Sequence, residues 1–360
     1  MRFVTGLADV GAADVGAADA ARAGGKAAAL GELARAGLPV PRGYVVTVAA
    51  FGLHMDVVDP SGAIRGALGS LPEDDLAGIA HAAADLRVRV TEAPLPPDVV
   101  TEIASGYAGL GAGPVAVRSS ATMEDSAEAS FAGLQDTYLA VRGADAVLDR
   151  VRACWASLYN DESVTYRRRQ GMGEDGLAMG VVVQLMLSPR SAGVMFTRSP
   201  VTGDRSVVAI EATWGLGSAL VSGEVTPDSF TVSKVTGEIT GRRVSVKLRS
   251  HSTTPNGQGI SAQPMPFALR RAACLTDDEA RSLAQIGREV EDHYGAAQDI
   301  EWALLGDSPG HPALHADLAD RIVLLQSRPE TVWAARDQAP IASPRAKASD
   351  HVLARFRRAL

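Results

Sequence analysis

Lysine is nearly missing from this 360-residue chain: only four of its 35 basic residues are lysines, Lys26, Lys234, Lys247 and Lys347. The excess of arginine and alanine fits a GC-rich genome and carries no functional information, so each lysine becomes a position to account for. Cysteine is equally scarce. Cys154 and Cys274 stand far apart with no CxxC spacing, which argues against a disulfide framework or a cysteine-based zinc site and fits a reducing compartment. A long hydrophobic run is also lacking, because the most apolar stretch, residues 179–187, is interrupted by Gln184 and is too short to span a bilayer. The N-terminus has no signal-like apolar core and carries Asp9, Asp14 and Asp19. Positive charge is not in excess either. The net charge of -7 argues against nucleic-acid binding driven by bulk charge. The expectation is a soluble cytoplasmic protein with neither membrane nor nucleic acid as a partner.

What is present suits an ordinary globular chain, 46% hydrophobic and long enough for two or three domains with a sizeable core. Residues 25–37 read as a helix with Leu30, Leu33 and Ala34 on one face and Gly37 as its stop signal. Residues 50–110 read as helices with loops, 115–118 as a short strand, 133–142 as an alternating strand and 146–169 as helix. The second half is richer in strands, including a hairpin around "VTG" at 235–237. Residues 276–294 form the clearest helical pattern. Thr276 can cap it, Glu279 occupies the capping-box position, and Leu283, Ile286, Val290 and Tyr294 make its apolar stripe. No internal repeat is visible.

Several short segments carry candidate chemistry. Gly24 and Gly25 precede the first helix, with Lys26 in its opening turn. A lysine there opposes the helix dipole unless an anion is shared, and a phosphate would satisfy both the lysine and the free amides. Ala27 follows where a Walker A loop requires a hydroxyl, and a solvated lysine beside a glycine turn fits the spacing as well. "VAVRSSATMEDS" places Arg118, Ser119, Ser120 and Thr122 at the end of an apolar strand. A guanidinium fork and hydroxyls suit phosphate oxygens, and a serine-rich turn held by an Arg–Glu pair is the plain alternative. In "DIEWALL" Asp299 and Glu301 lie two apart on one strand, as Gln326 and Arg328 do in "RIVLLQSR". If these strands pair, two carboxylates, an amide and a guanidinium share one face, suited to magnesium and phosphate. A solvated polar edge is the other reading. The intervening Ile300, Trp302, Leu325 and Ser327 are then expected on the core side. Gln184 inside its apolar run needs a partner, either a nucleotide's base or ribose or a neighbouring backbone edge. Gly215 and Gly217 precede a short helix, a weak sign of close backbone approach to a ligand.

Taken in order, "GGKAAALGELARAGLPVPRGYVVT", "VAVRSSATMEDSAEASFAGLQDTYLAV", "SAGVMFTRSPVTGD", "WGLGSALVSGEVTPDSF", "DIEWAL" and "LLQSRPETVW" resemble the ATP-binding domain of phosphoenolpyruvate synthase, pyruvate phosphate dikinase and rifampin phosphotransferase. The resemblance covers roughly residues 20–333. It implies an α/β (α+β), ATP-grasp-like fold with the nucleotide between two lobes, here residues 1–190 and 191–333, followed by a linker and terminal helix over 334–360. By motif matching it implies that Lys26, Arg118 and Arg328 contact phosphates in the reacting site, and that Gly133 and Thr137 lie along the phosphate channel. Gln184 would lie near the adenine. Asp299 would serve the metal–phosphate end, and Glu301 and Gln326 would be the metal ligands. The cofactors implied are ATP and Mg²⁺. In this family a histidine on a swivelling domain takes the β,γ-pyrophosphoryl group of ATP, AMP leaves, and a small hydroxyl or enolate acceptor is phosphorylated.

The sequence departs from the family where that histidine belongs. None of the seven histidines (His54, His81, His251, His293, His311, His315 and His351) lies in a Thr-Ser-His, glycine-rich context. The expectation is therefore an ATP-binding subunit working with a separate chain that carries the phosphohistidine domain and the acceptor site. The alternatives are a non-catalytic nucleotide-binding module and a domain excised from a longer enzyme. Val352, Leu353, Phe356 and Leu360 share one helical face beside Arg355, Arg357 and Arg358, which would suit docking to such a partner or packing on the chain's own domain.

Overall fold

The computed structural model describes residues 2–10, 21–122, 125–126, 129–130, 136–174, 176–306 and 318–337. In the first half, β1 (Val4–Gly6), α1 (Gly25–Arg35) and β2 (Gly43–Val46) precede four helices: α2 (Val48–Val58), α3 (Ala63–Ser70), α4 (Leu76–Glu92) and α5 (Pro97–Gly109). Then come β3 (Val115–Ala121), the short pair β4 (Asp125–Ser126) and β5 (Ala129–Ser130), β6 (Thr137–Val141), α6 (Ala144–Ala156), α7 (Asp161–Arg169) and β7 (Met179–Leu185). The second half holds β8 (Pro189–Phe196), β9 (Val207–Trp214), α8 (Ser218–Val221), β10 (Asp228–Ser233), β11 (Ile239–Arg243), β12 (Arg249–Thr253) and β13 (Ile260–Pro264). It closes with α9 (Asp277–Tyr294), β14 (Gln298–Leu305), β15 (Ile322–Pro329) and α10 (Val332–Asp337). The last of these turns through residues expected to begin a linker. The expected terminal helix lies outside the described residues.

Two antiparallel sheets organise the fold. The first has the order β1-β2-β7-β3-β6 and the second β11-β10-β9-β8-β14-β15. The valine run of β7 is buried on both faces. Val181 and Val183 join the helical core with Phe51, Leu86, Ile103 and Trp155, while Val182 packs with Val45, Ala27 and Leu30 of α1. A strand covered on both sides reads as a continuous apolar run, because alternation has no polar side to mark. The second sheet buries Met195, Ile210, Phe230 and Trp302 against Leu283, Ile286 and Val290 of α9. That helix starts with the expected capping box, Thr276 accepting from the Glu279 amide while Glu279 accepts from the Thr276 amide. Helix α1 bridges the two sheets, since Ala27 and Leu30 pack against the first sheet on the face away from the helical core and Leu33 packs in the core of the second. Among the described residues no helix is long and apolar enough to cross a membrane.

One buried group of the first core sets a pH dependence. The His54 ring lies 5.2 Å from that of Trp155. Its Nε2 is 2.9 Å from the Val90 carbonyl, and its Nδ1 is buried with no partner. Burial holds the imidazolium form below its ordinary range. The unfolded chain therefore binds more protons than the folded one as pH falls from about 6.5, so this contribution is complete above that value and is lost below it. The difference in urea midpoint between wild type and His54→Phe should shrink from about pH 7.5 to about pH 5. A difference independent of pH would show that His54 does not titrate in this window.

Candidate nucleotide site

Strand β3 supplies the first element of the site and runs further than its sequence predicts. It continues through the serines to Ala121, with every residue buried. The hydroxyls expected to face phosphate are used inside the fold. Ser119 donates to the Asp136 carbonyl at 3.2 Å, Thr122 donates to the Ala178 carbonyl at 3.2 Å, and Ser120 Oγ accepts from the Ala27 amide at 3.0 Å. Ser120 thereby satisfies one free amide in the opening turn of α1. Close approach there depends on Gly24, at φ 84°, where an added Cβ would stand 1.8 Å from the Ser120 carbonyl oxygen. In the same turn Lys26 is buried, and its Nζ donates to the Ser119 carbonyl at 2.8 Å.

Arg118 crosses from the first sheet to the second. Its Nη1 donates to the Leu325 carbonyl at 2.6 Å, and its Nη2 donates to Glu301 Oε2 at 2.9 Å and Gln326 Oε1 at 2.8 Å. The strands that supply these partners do pair, Asp299 opposite Arg328 and Glu301 opposite Gln326. Ile300 and Trp302 are in the core as alternation requires, but Leu325 is not. A register shift between Glu301 and Trp302 leaves Leu325 as the extra residue of a bulge, where it lines a cavity between the sheets. Bulges re-aim one residue of a strand, which alternation alone does not reveal.

Beside this hub lies a carboxyl with one unpartnered oxygen. Asp299 Oδ1 is buried with no hydrogen-bond partner, and Oδ2 is 3.6 Å from Arg328 Nε. Burial pushes the Asp299 carboxyl up to about 6, against the pull of Arg328 and with a further push from Glu330. A cation placed against Oδ1 would reverse that shift.

The cavity has a volume of about 870 Å³. Strand register orders its two ends. Arg118 stands opposite Thr137, and Glu301 joins them at a polar end, whereas Val115 stands opposite both Val141 and Leu185, which mark an apolar end. Gln184 lies between, opposite Ala116. It is 2% exposed, and its Nε2 donates to the Pro41 carbonyl at 3.0 Å, so a backbone edge supplies its partner. Of the expected site residues, Arg118, Thr137, Gln184 and Glu301 line the cavity. Lys26, Asp299, Gln326 and Arg328 do not, standing instead beside the residues that do, and Gly133 lies outside the described residues. Gly217 also lines it, beside Ser218 of α8.

Sequence reasoning missed three further groups on the wall. Arg150 of α6 lies over the Tyr138 ring, 4.8 Å from its centroid, and both residues face the cavity, as does Arg142. Ser218 Oγ is 2.9 Å from His251 Nδ1, whose Nε2 is 3.2 Å from Glu224 Oε2. Isolated arginines and a serine in helical sequence give no periodic signal, so nothing in the linear pattern marks them.

Two antiparallel sheets with flanking helices thus enclose a cavity that has an arginine–carboxylate end and an apolar end, an α/β architecture of the kind expected for an ATP-grasp-like domain. Comparison with known proteins gives the family. The chain matches "Pyruvate phosphate dikinase, AMP/ATP-binding domain" over residues 20–349 and belongs to that family. It is 44% identical over 308 residues to a rifampicin phosphotransferase of a Streptomyces species, covering 85% of this chain and 35% of that protein. It is 38% identical over 351 residues to a probable phosphoenolpyruvate synthase of Staphylothermus marinus, covering 90% and 41%. A probable phosphoenolpyruvate synthase of Methanothermobacter thermautotrophicus is 41% identical over 316 residues, covering 86% and 44%. The chain thus spans less than half the length of these relatives. Members of this family are ATP-dependent dikinase phosphotransferases, and the domain matched here is their AMP/ATP-binding part.

Proposed function

We propose that this chain binds ATP with magnesium and presents its β-phosphorus to a histidine on a partner chain, which takes the β,γ-pyrophosphoryl group as AMP leaves. The acceptor phosphorylated afterwards is a small hydroxyl or enolate compound. In this reading the two sheets act as lobes, residues 1–190 and 191–333, that meet across the cavity. The observation that carries it is the Arg118 hub, in which one guanidinium from the first sheet meets Glu301, Gln326 and a bulged carbonyl of the second at the polar end. Phosphoryl transfer needs charge neutralisation and in-line placement more than covalent help from the protein. In this reading Arg118 of β3, Lys26 of α1, whose Nζ donates to the Ser119 carbonyl, and Arg328, two residues from Gln326, are the three cations that meet the triphosphate. Thr137 lines the cavity, Gly133 stands four residues before it in the sequence, and in this reading Gln184 lies near the base.

None of the described histidines lines the cavity, and in this reading the attacking histidine comes from the partner chain. His54 and His251 are buried, and His293 is 3.1 Å from Glu32. The acidic residues fit magnesium. Asp299 offers a buried oxygen without a partner, Glu301 is half-exposed at the cavity, and Gln326 adds an amide oxygen. Among the described residues no group of three or more His, Cys, Asp or Glu is placed to hold a metal. In this reading the ion is held by one or two carboxylates plus water and phosphate oxygens. Once bound, the ion would neutralise charge on the departing phosphate oxygens.

The test is Glu301→Gln. It should leave nucleotide binding without metal within about threefold and remove most of the gain in affinity that Mg²⁺ gives wild type, read by calorimetry across a magnesium titration. An unchanged magnesium dependence would remove Glu301 as a ligand.

A further inference from the structure

Hairpin β12–β13 belongs to the second half of the chain, yet its tip touches the first sheet. Gly259 donates its amide to the Ala140 carbonyl at 2.9 Å, and Ala140 lies in β6, the edge strand of that sheet. Two features of β6 are built around this contact. The ladder to β3 shifts register between Val115 and Val117, so β6 carries an extra residue there. Ala140 also has φ 52°, one of two non-glycine residues with positive φ among those described. An L-residue held in the left-handed region is strained, and such strain persists where the surroundings over-determine it. A bulge on an edge strand turns a peptide group out of the ladder, here toward the hairpin. Next to it, Arg142 Nη1 occupies the space of the missing Gly257 side chain, 3.1 Å from where a Cβ would stand.

The base of the hairpin is held more firmly than the tip. Leu216 donates its amide to the His251 carbonyl at 2.9 Å, and the His251 ring bridges Ser218 and Glu224. The tip reaches the first sheet through the Gly259–Ala140 main-chain bond and the Arg142 contact. Gln258, Gly259 and Ile260 line the cavity together with Ala140, Val141 and Arg142. The contact therefore joins the two walls where the apolar end closes.

Building on the nucleotide reading above, we infer that this hairpin tip is a latch. Undocked from Ala140 it admits or releases the base, and docked it seals the apolar end. The latch sets how long the nucleotide stays, while Arg118 and its neighbours set the grip on the phosphates.

The experiment follows a fluorescent N-methylanthraniloyl ATP on the full 360-residue chain by stopped flow. The variant has residues 255–258 replaced by two glycines, so that the tip no longer reaches β6. Release should quicken by roughly threefold to tenfold, the weight of one main-chain hydrogen bond, with association no slower. In parallel, hydrogen exchange on the unaltered chain should show the segment around Gly259 slowed by saturating ATP, a readout that does not depend on the variant folding. Unchanged release in a folded variant, or Gly259 exchange indifferent to nucleotide, overturns the latch and leaves the nucleotide site standing. Failure of the unaltered chain to bind the probe at all overturns both.

Discussion

Arg118→Ala is expected to weaken ATP binding by roughly tenfold to a hundredfold, the range for losing charge-assisted hydrogen bonds to a ligand. The Arg118 side chain links a strand of the first sheet to two strands of the second. The guanidinium is 10% exposed and makes three hydrogen bonds across the sheets. Truncation leaves Glu301, Gln326 and the Leu325 carbonyl without that donor. Because the Glu301 side chain is 36% exposed it can hydrate, so the stability cost is moderate, about 1–3 kcal/mol. Arg118→Lys separates the two effects. A lysine keeps the charge but lacks the fork, so it should restore part of the stability and little of the affinity. Calorimetry with a non-hydrolysable ATP analogue, paired with urea unfolding, reads both. Full affinity in both variants would remove Arg118 from the site. Lys26→Ala should act in the same direction through the phosphates.

The second large effect falls outside the cavity wall. Lys247 and Asp228 form an ion pair in which both side chains are 0% exposed. Asp228 Oδ1 also accepts from the Ser245 amide at 2.9 Å, and Oδ2 accepts from the Cys274 amide at 2.9 Å. Lys247 Nζ donates to the Ser245 carbonyl at 2.9 Å as well. Lys247→Met would leave a carboxylate buried among fixed neutral donors, at a cost of about 3–5 kcal/mol. A Lys247→Met/Asp228→Asn double variant should recover part of that loss, because it removes the uncompensated charge. The check is urea unfolding of the single and double variants. A loss below about 1 kcal/mol in the single variant would mean the pair is not held as described. The aspartate of "TPDSF" thus serves the fold, binding β10 to the segments that follow it, although its motif lies among those that mark the nucleotide domain.

Much of the site was legible in the sequence because period-two alternation is a local property. Asp299 with Glu301, and Gln326 with Arg328, could be assigned to one face before any strand was paired, and the Thr276–Glu279 capping box needs only three residues of spacing. Other readings failed where the answer depended on a distant neighbour. Ser119 and Ser120 looked like phosphate donors, but α1 and the Asp136 carbonyl claim their hydroxyls. Leu325 looked like core, but a bulge moved it to the cavity wall. Nothing linear announced the left-handed Ala140 or its link to Gly259.

By itself the sequence determined the class of fold, the ordered motifs of an AMP/ATP-binding domain and the set of charged residues available to a triphosphate, since propensity, alternation and motif spacing are written in adjacent residues. Only the tertiary structure decided which of them meet. Arg118 finds Glu301 at a separation of 183 residues and Gln326 at 208, and its guanidinium rests on a carbonyl presented by a bulge. Partnerships of that kind depend on how two sheets pack and where their ladders slip, energies summed over whole strands that no short segment contains.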